Sequence, residues 1–335
     1  PIALAAMTFG AYLSAAVGGV NQTLAAALLV GVLGFLHCYS RATSGKTQVL
    51  FTALKVILIV VFSVAALIAS DYPVALPSLP AAGDLTSFKS GAFAVALIYV
   101  NYAYTGWNSA TYLIDELEDP TRRLPRVLFV GTLSVMGFYL LLNFVFLSVA
   151  PIEALQGQLE IGVIAAQYAF GATGGQLMGL MLSLLLISTV SAMLMAGPRV
   201  LLVIGQDFPT FGWLAKTNAS GMPFIAILSV VSLSMVLVLT SSFESVLVFS
   251  GFVLSLNTLL TVGGVFRLRA LGLLNAERYQ TWGYPVTPLL YLGLTLWTLI
   301  YILIQRPTEG LMGLLVVAIG GIFYGLTEAA KSKVP

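Results

Sequence analysis

Polar side chains that fall inside long apolar runs are where this sequence could do chemistry. The first group is Asn101-Tyr102-Ala103-Tyr104-Thr105-Gly106-Trp107-Asn108, which interrupts an apolar run that begins near residue 91. A helix that only spans lipid has no use for two Asn, a Thr and a Gly in mid-course. Polar or non-helical backbone is tolerated at that depth only where it is buried in protein or lines a cavity. Tyr102 lies eleven residues beyond Gly91 and thirteen before Asp115, close to the middle of the run. Gly106 beside Thr105 permits the helix to break. A broken helix offers free amides to anionic groups and free carbonyls to cations. The chemistry expected of this patch is therefore solute binding without bond making. Two plainer readings stand beside it: a kinked but continuous helix, or interfacial aromatics at headgroup level.

Lys55, in FTALKVILIVV, is the second candidate. It sits about eight residues into its run, roughly 12 Å along a helix axis at ~1.5 Å per residue. An ionisable group at that depth is expected to face the interior of a bundle and to have a partner. The alternative is that its four-carbon stem snorkels back to the nearby surface. No other run carries a charge so deep, so the expected partners are carbonyl oxygens and hydroxyls. The third candidate is the hydroxyl cluster Ser188, Thr189 and Ser191, within LISTVSAML. Such hydroxyls either bond back to the preceding turn, pack against a neighbouring helix, or meet a ligand.

Other chemistries find little to work with. The chain holds one cysteine, Cys38, and one histidine, His37, adjacent near the end of an apolar run. That excludes an intrachain disulfide and argues against a protein metal centre or a thiol active site, so both read as packing residues. There is no phosphate-binding loop, HExxH pattern or Ser/His/Asp set, and neither cofactor nor enzymatic activity is expected. A formal net charge of +2, with basic residues scattered through the loops, gives no footprint for nucleic acid.

The elements that must position these residues are helices in a bilayer. Of 335 residues, 59% are hydrophobic and 8% charged, and the mean hydropathy is +0.99. Soluble domains carry roughly a quarter charged residues, so this is an all-α polytopic membrane protein. Runs near the ~20 residues that cross a hydrocarbon core predict ten spans, at about 2–17, 23–39, 47–69, 91–114, 127–149, 175–204, 222–239, 245–266, 285–304 and 311–326. A short apolar piece, 161–170, reads as a surface or re-entrant helix. Alternate loops divide the basic residues sharply. One set holds Arg41, Lys46, Arg122, Arg123, Arg126, Arg199, Lys216, Arg267, Arg269, Arg278, Lys331 and Lys333, and the other only Lys89 and Arg306. Cytoplasmic loops are the basic ones, so the C-terminus is expected in the cytoplasm. The charged exit from Asp115 to Arg126 falls on that side, either as a gate that pairs with other loops or as a solvated anchor. The chain opens at Pro1 inside an apolar run with no basic leader or cleavage site, which reads as a fragment of a longer protein.

The stretch YAYTGWNSATYLIDELEDPTRRLPR resembles the sixth transmembrane helix and following loop of amino acid permeases of the amino acid-polyamine-organocation superfamily, near the L-type amino acid transporter branch. PIALAAMTFGAYL is similar to the end of family helix 3, QVLFTALKV to helix 5 with its lysine, SAMLMAGPRV to the end of helix 8, and RYQTWGYPVTPLLYL to the approach to helix 11. The ten spans would then be family helices 3 to 12, with two helices and part of a third missing.

The resemblance implies a five-plus-five inverted-repeat fold in one transmembrane domain over 1–335. Residues 1–70 would be the remainder of the first repeat, 88–268 the second, and 285–328 two C-terminal helices. It implies that Tyr102 is the aromatic gate over an amino acid. Ala103, Tyr104, Thr105, Gly106 and Trp107 would line the side-chain pocket. Lys55 would stand where sodium-coupled relatives hold their ion, bridging toward Ser188 and Thr189. The implied function is secondary active or exchange transport of amino acids across the plasma membrane by alternating access, independent of sodium, with the fragment alone inactive. The alternative is a transport-inactive sensor or assembly subunit. Expected partners are an amino acid and the lipid bilayer, with oligomer and accessory subunit left open.

Overall fold

The structure, a computed structural model, describes residues 1–39, 45–70, 90–107, 118–219, 221–272 and 281–331. It is helical throughout: α1 (Ile2–Val17), α2 (Gln22–Tyr39), α3 (Gly45–Ala69), α4 (Gly91–Ala103), α5 (Pro120–Val149), α6 (Ile152–Leu155), α7 (Ile161–Asp207), α8 (Phe224–Thr240), α9 (Phe243–Ala270), α10 (Val286–Gln305) and α11 (Pro307–Lys331). A 3₁₀ turn, Pro209–Ala215, follows α7. Among the described residues, seven helices are long and apolar enough to cross a membrane. The shorter apolar helices Ile2–Val17, Gly91–Ala103 and Phe224–Thr240 fall where the remaining predicted spans lie.

Local signals set the boundaries. Proline is the first residue of α5 and α11 and immediately precedes α6, α8 and α10, positions where its missing N–H has no helical partner to lose. Asn21 caps α2 by accepting the Leu24 N–H at 2.9 Å, as an N-cap amide should. Two expectations are adjusted. The fifth span starts at Pro120, seven residues early, and takes Pro125 inside the helix at its second turn. The 161–170 piece and the following span are joined end to end in α7, but Gly171 at φ 76° and ψ −175° kinks it where the sequence separates them.

Contacts divide the chain into two compact units. The first comprises 1–77 and 137–243. In it α1 packs on α7 and α2, α2 on α8, and α3 on α7. Close approach depends on small residues. Gly10 sits so near the start of α2 that an added Cβ would lie 2.2 Å from the Gln22 carbonyl oxygen. One core cluster joins Phe62 and Ala66 of α3 to Val145 and Val149 of α5 and to Ala165, Ala166 and Met178 of α7. The second unit comprises 78–136 and 244–335. Its core is Ile98 of α4, Val248 and Phe252 of α9, and Leu299 and Ile302 of α10.

Large aliphatic and aromatic side chains also face outward in quantity, as in Phe129 at 70% and Ile68 at 80% exposure. Helices apolar on their outer faces as well as toward the core belong in hydrocarbon.

Candidate functional site

In the second unit, α4 begins with Ser90 accepting the Phe93 N–H at 3.2 Å and ends after Ala103. The Tyr104 N–H is shared between the Val100 and Asn101 carbonyls at 3.2 Å each. Thr105 then turns back on the helix: its N–H and its hydroxyl both donate to the Tyr102 carbonyl, at 3.0 and 2.6 Å. Gly106 follows at φ 110°, a backbone state that disfavours any side chain. A Cβ there would meet nothing within 4 Å, so the glycine serves backbone conformation and not space. Tyr102, Tyr104 and Thr105 are half-buried, and Trp107 is 46% exposed. Asn108 and the acids Asp115 and Glu116 lie outside the described residues.

In the first unit, the Lys55 ammonium donates to Thr189 Oγ1 at 2.8 Å, and that hydroxyl donates onward to the Leu185 carbonyl at 3.2 Å. The two bonds have one consistent direction, lysine to threonine to backbone. Lys55 shares a helical face with Phe62 and Ala66, seven and eleven residues on, and both of those lie in the core cluster. Thr189 likewise follows Met178 by eleven residues on α7, and Met178 is in the same cluster. The lysine is thus on the bundle-facing stripe of α3. Ser188 is buried. The two halves of the predicted site, Tyr102 to Trp107 and Lys55 with Ser188 and Thr189, fall in different compact units.

The described ion pairs of the charged exit are local: Arg123 to Glu118 at 3.0 Å and Arg122 to Asp119 at 3.9 Å, all four side chains more than half exposed. Such pairs contribute little, which fits a solvated segment.

Sequence reasoning missed two polar pairs. His37, 1% exposed, places Nε2 at 2.9 Å from Ser191 Oγ. The histidine read as packing is therefore hydrogen-bonded to one of the cluster hydroxyls. In the second unit, Asn101 donates to Ser255 Oγ on α9 at 2.9 Å. Burial of a lone histidine in an apolar run was a usable signal for the first pair, because a buried polar group needs a partner. Nothing in the local pattern singles out Ser255.

A family model described as amino acid permease matches residues 2–323. The chain is similar to the serine/threonine exchanger SteT of Bacillus subtilis, with 24% identity over 245 residues, covering 72% of this chain and 56% of that protein. It is similar to the large neutral amino acids transporter small subunit 2 of Oryctolagus cuniculus, with 27% identity over 257 residues, 73% of this chain and 46% of that protein. It also resembles the b(0,+)-type amino acid transporter 1 of Oryctolagus cuniculus, with 29% identity over 149 residues, 42% of this chain and 28% of that protein. The chain spans about half the length of the first two of these curated relatives.

Proposed function

The chain belongs to the amino acid permease family, and on that premise we propose that its gene product carries an amino acid across the plasma membrane by alternating access, independently of sodium. The observation that supports this reading best is the unwinding of α4 after Ala103, in mid-run, with Gly106 at φ 110°. A helix interrupted inside hydrocarbon gains nothing from the break unless the freed backbone lines a cavity. The segment from Ala103 to Trp107 then supplies main-chain groups for the solute, and Tyr102 supplies an aromatic face over it. Lys55 acts as a resident cation on α3, tied to Thr189 at 2.8 Å. A fixed ammonium where sodium-coupled relatives hold an ion removes the need for that ion. The three relatives named above are two transporters and one exchanger, which supports transport as the activity and an amino acid as the substrate class. Residues 1–70 and 88–268 form parts of two inverted repeats in this reading, with 285–328 outside them, and the C-terminus faces the cytoplasm.

The test is uptake into proteoliposomes by the full-length gene product. Radiolabelled serine, threonine and leucine are assayed with sodium or choline outside, and with or without unlabelled amino acid inside. Saturable uptake unchanged in choline is expected. Stimulation by internal amino acid identifies an exchanger. Uptake absent for every amino acid, together with no thermal stabilisation by any of them, overturns the transport reading and favours a sensor or assembly subunit.

A further inference from the structure

The substrate reading uses the residues that follow Asn101 and leaves Asn101 itself without a role. Its side-chain amide reaches across to α9 and donates to Ser255 Oγ at 2.9 Å, and Ser255 is 3% exposed. One turn earlier on each helix the same two faces touch. Ile98 is fully buried, and a Cβ on Gly251 would lie 2.9 Å from Ile98 Cγ1. Ile98 to Asn101 and Gly251 to Ser255 are steps of three and four residues, one turn on each helix. The two contacts therefore lie one turn apart on the faces where α4 and α9 meet, and both helices advance in the same direction from the first contact to the second. The apolar part of this contact continues into Val248, Phe252, Leu299 and Ile302. It gives way to a polar pair at the residue before Tyr102.

That place has a mechanical consequence. The backbone just past Asn101 leaves the regular helical pattern: the Tyr104 N–H is shared among the Val100, Asn101 and Tyr102 carbonyls, and the helix ends at Ala103. Bonds within that last turn do not by themselves fix how the turn is rotated toward its neighbours. A side-chain bond to a neighbouring helix does, and between apolar helices such bonds set rotation where hydrophobic burial does not. A leucine at 101 would pack the same face without any need for a hydroxyl opposite. An amide with a buried hydroxyl is costly unless both members are present.

We propose that Asn101 is a positioning residue for transport: its bond to Ser255 fixes the direction in which Tyr102 and the unwound backbone from Ala103 to Trp107 are presented to the substrate. This inference rests on the reading of that stretch as a substrate site. The experiment is uptake kinetics of radiolabelled serine and leucine in proteoliposomes. Wild-type full-length gene product, N101A, S255A, the double variant and S255T are compared at matched amounts of folded protein. Loss of one buried hydrogen bond predicts a rise in KM of about tenfold for each single alanine variant. The double variant should be no worse than the worse single, and S255T, which keeps the hydroxyl, should return to within about twofold of wild type. Single effects that multiply in the double variant overturn the proposal, as do single variants with wild-type KM. A fall in thermal midpoint with unchanged KM of the folded fraction also overturns it, because that is what packing alone predicts. A wild type that carries neither amino acid, with no binding of any other, removes the transport reading and this inference with it. A transporting wild type with uncoupled variants removes this inference alone.

Discussion

Replacing Lys55 by Met separates a working cation from a snorkelling one. The structure gives the lysine a bond to Thr189 at 2.8 Å, a place on the core-facing stripe of α3, and an acceptor whose own proton is committed to the Leu185 carbonyl. A hydrogen bond from a charged group contributes about 1.5–3 kcal/mol net. At about 1.4 kcal/mol per factor of ten, K55M should lower kcat/KM by roughly 10- to 150-fold. Thermal stability should move the other way or not at all. A cation near the centre of a membrane helix is unfavourable by about 2.5–3.5 kcal/mol on insertion scales, and Met fills a similar volume without it. Loss of transport in a protein at least as stable as wild type is thus the expected signature. T189V should reproduce part of the loss, and T189S, which keeps the hydroxyl, should recover it. The assays are initial uptake rates in proteoliposomes and thermal midpoints in detergent, on the same preparations. K55M that transports at the wild-type rate refutes the reasoning. So does K55M that is unstable yet kinetically normal when folded, since the lysine would then only hold α3 to α7.

Three further changes test other parts of the chain. G106A meets no neighbour within 4 Å, so its effect comes from backbone conformation alone: a positive φ disfavours a Cβ by about 1–2 kcal/mol, and uptake should fall severalfold with little change in folded yield. G10A should lower the thermal midpoint, because its Cβ would lie 2.2 Å from a backbone oxygen of α2 and overpacking costs about 1–3 kcal/mol. G31A, whose nearest neighbour is a flexible methionine tip at 3.7 Å, is the neutral control. H37L leaves the Ser191 hydroxyl without its partner and should destabilise by about 1–3 kcal/mol, with part of the loss recovered in the H37L/S191A double variant.

Much of the architecture was legible because apolar length and glycine placement are local properties. Each predicted span overlaps a described helix, although 108–114 of the fourth lie outside the described residues, and Gly106 and Gly171, both at positive φ, fall where a glycine follows a polar or short apolar segment. The early start of α5 was not legible. Pro120 reads equally well as a helix stop and as a first helical residue. The polar pairs escaped for a different reason. His37 with Ser191, and Asn101 with Ser255, are each separated by 154 residues, and periodicity reports which face a residue occupies but not what stands opposite.

The hydroxyl cluster of α7 shows what that distinction hides. Read along the sequence, Ser188, Thr189 and Ser191 form one polar spot. On a helix, residues two apart are about 200° apart around the axis at 3.6 residues per turn, so Thr189 and Ser191 must address different neighbours. They do: Thr189 meets Lys55 of α3, Ser191 meets His37 of α2, and Val190 between them is fully buried. One turn of α7 therefore carries two polar tethers on nearly opposite sides. Between apolar helices in lipid, where burial drives association weakly, a single tether leaves a helix free to roll about that contact. Two on opposing faces remove the freedom. Anything that changes the lysine side must then be felt on the histidine side through a rigid turn. For that reason K55M and H37L should be non-additive in thermal stability, although their side chains sit on different helices. Strict additivity within about 0.5 kcal/mol would show the two tethers to be independent.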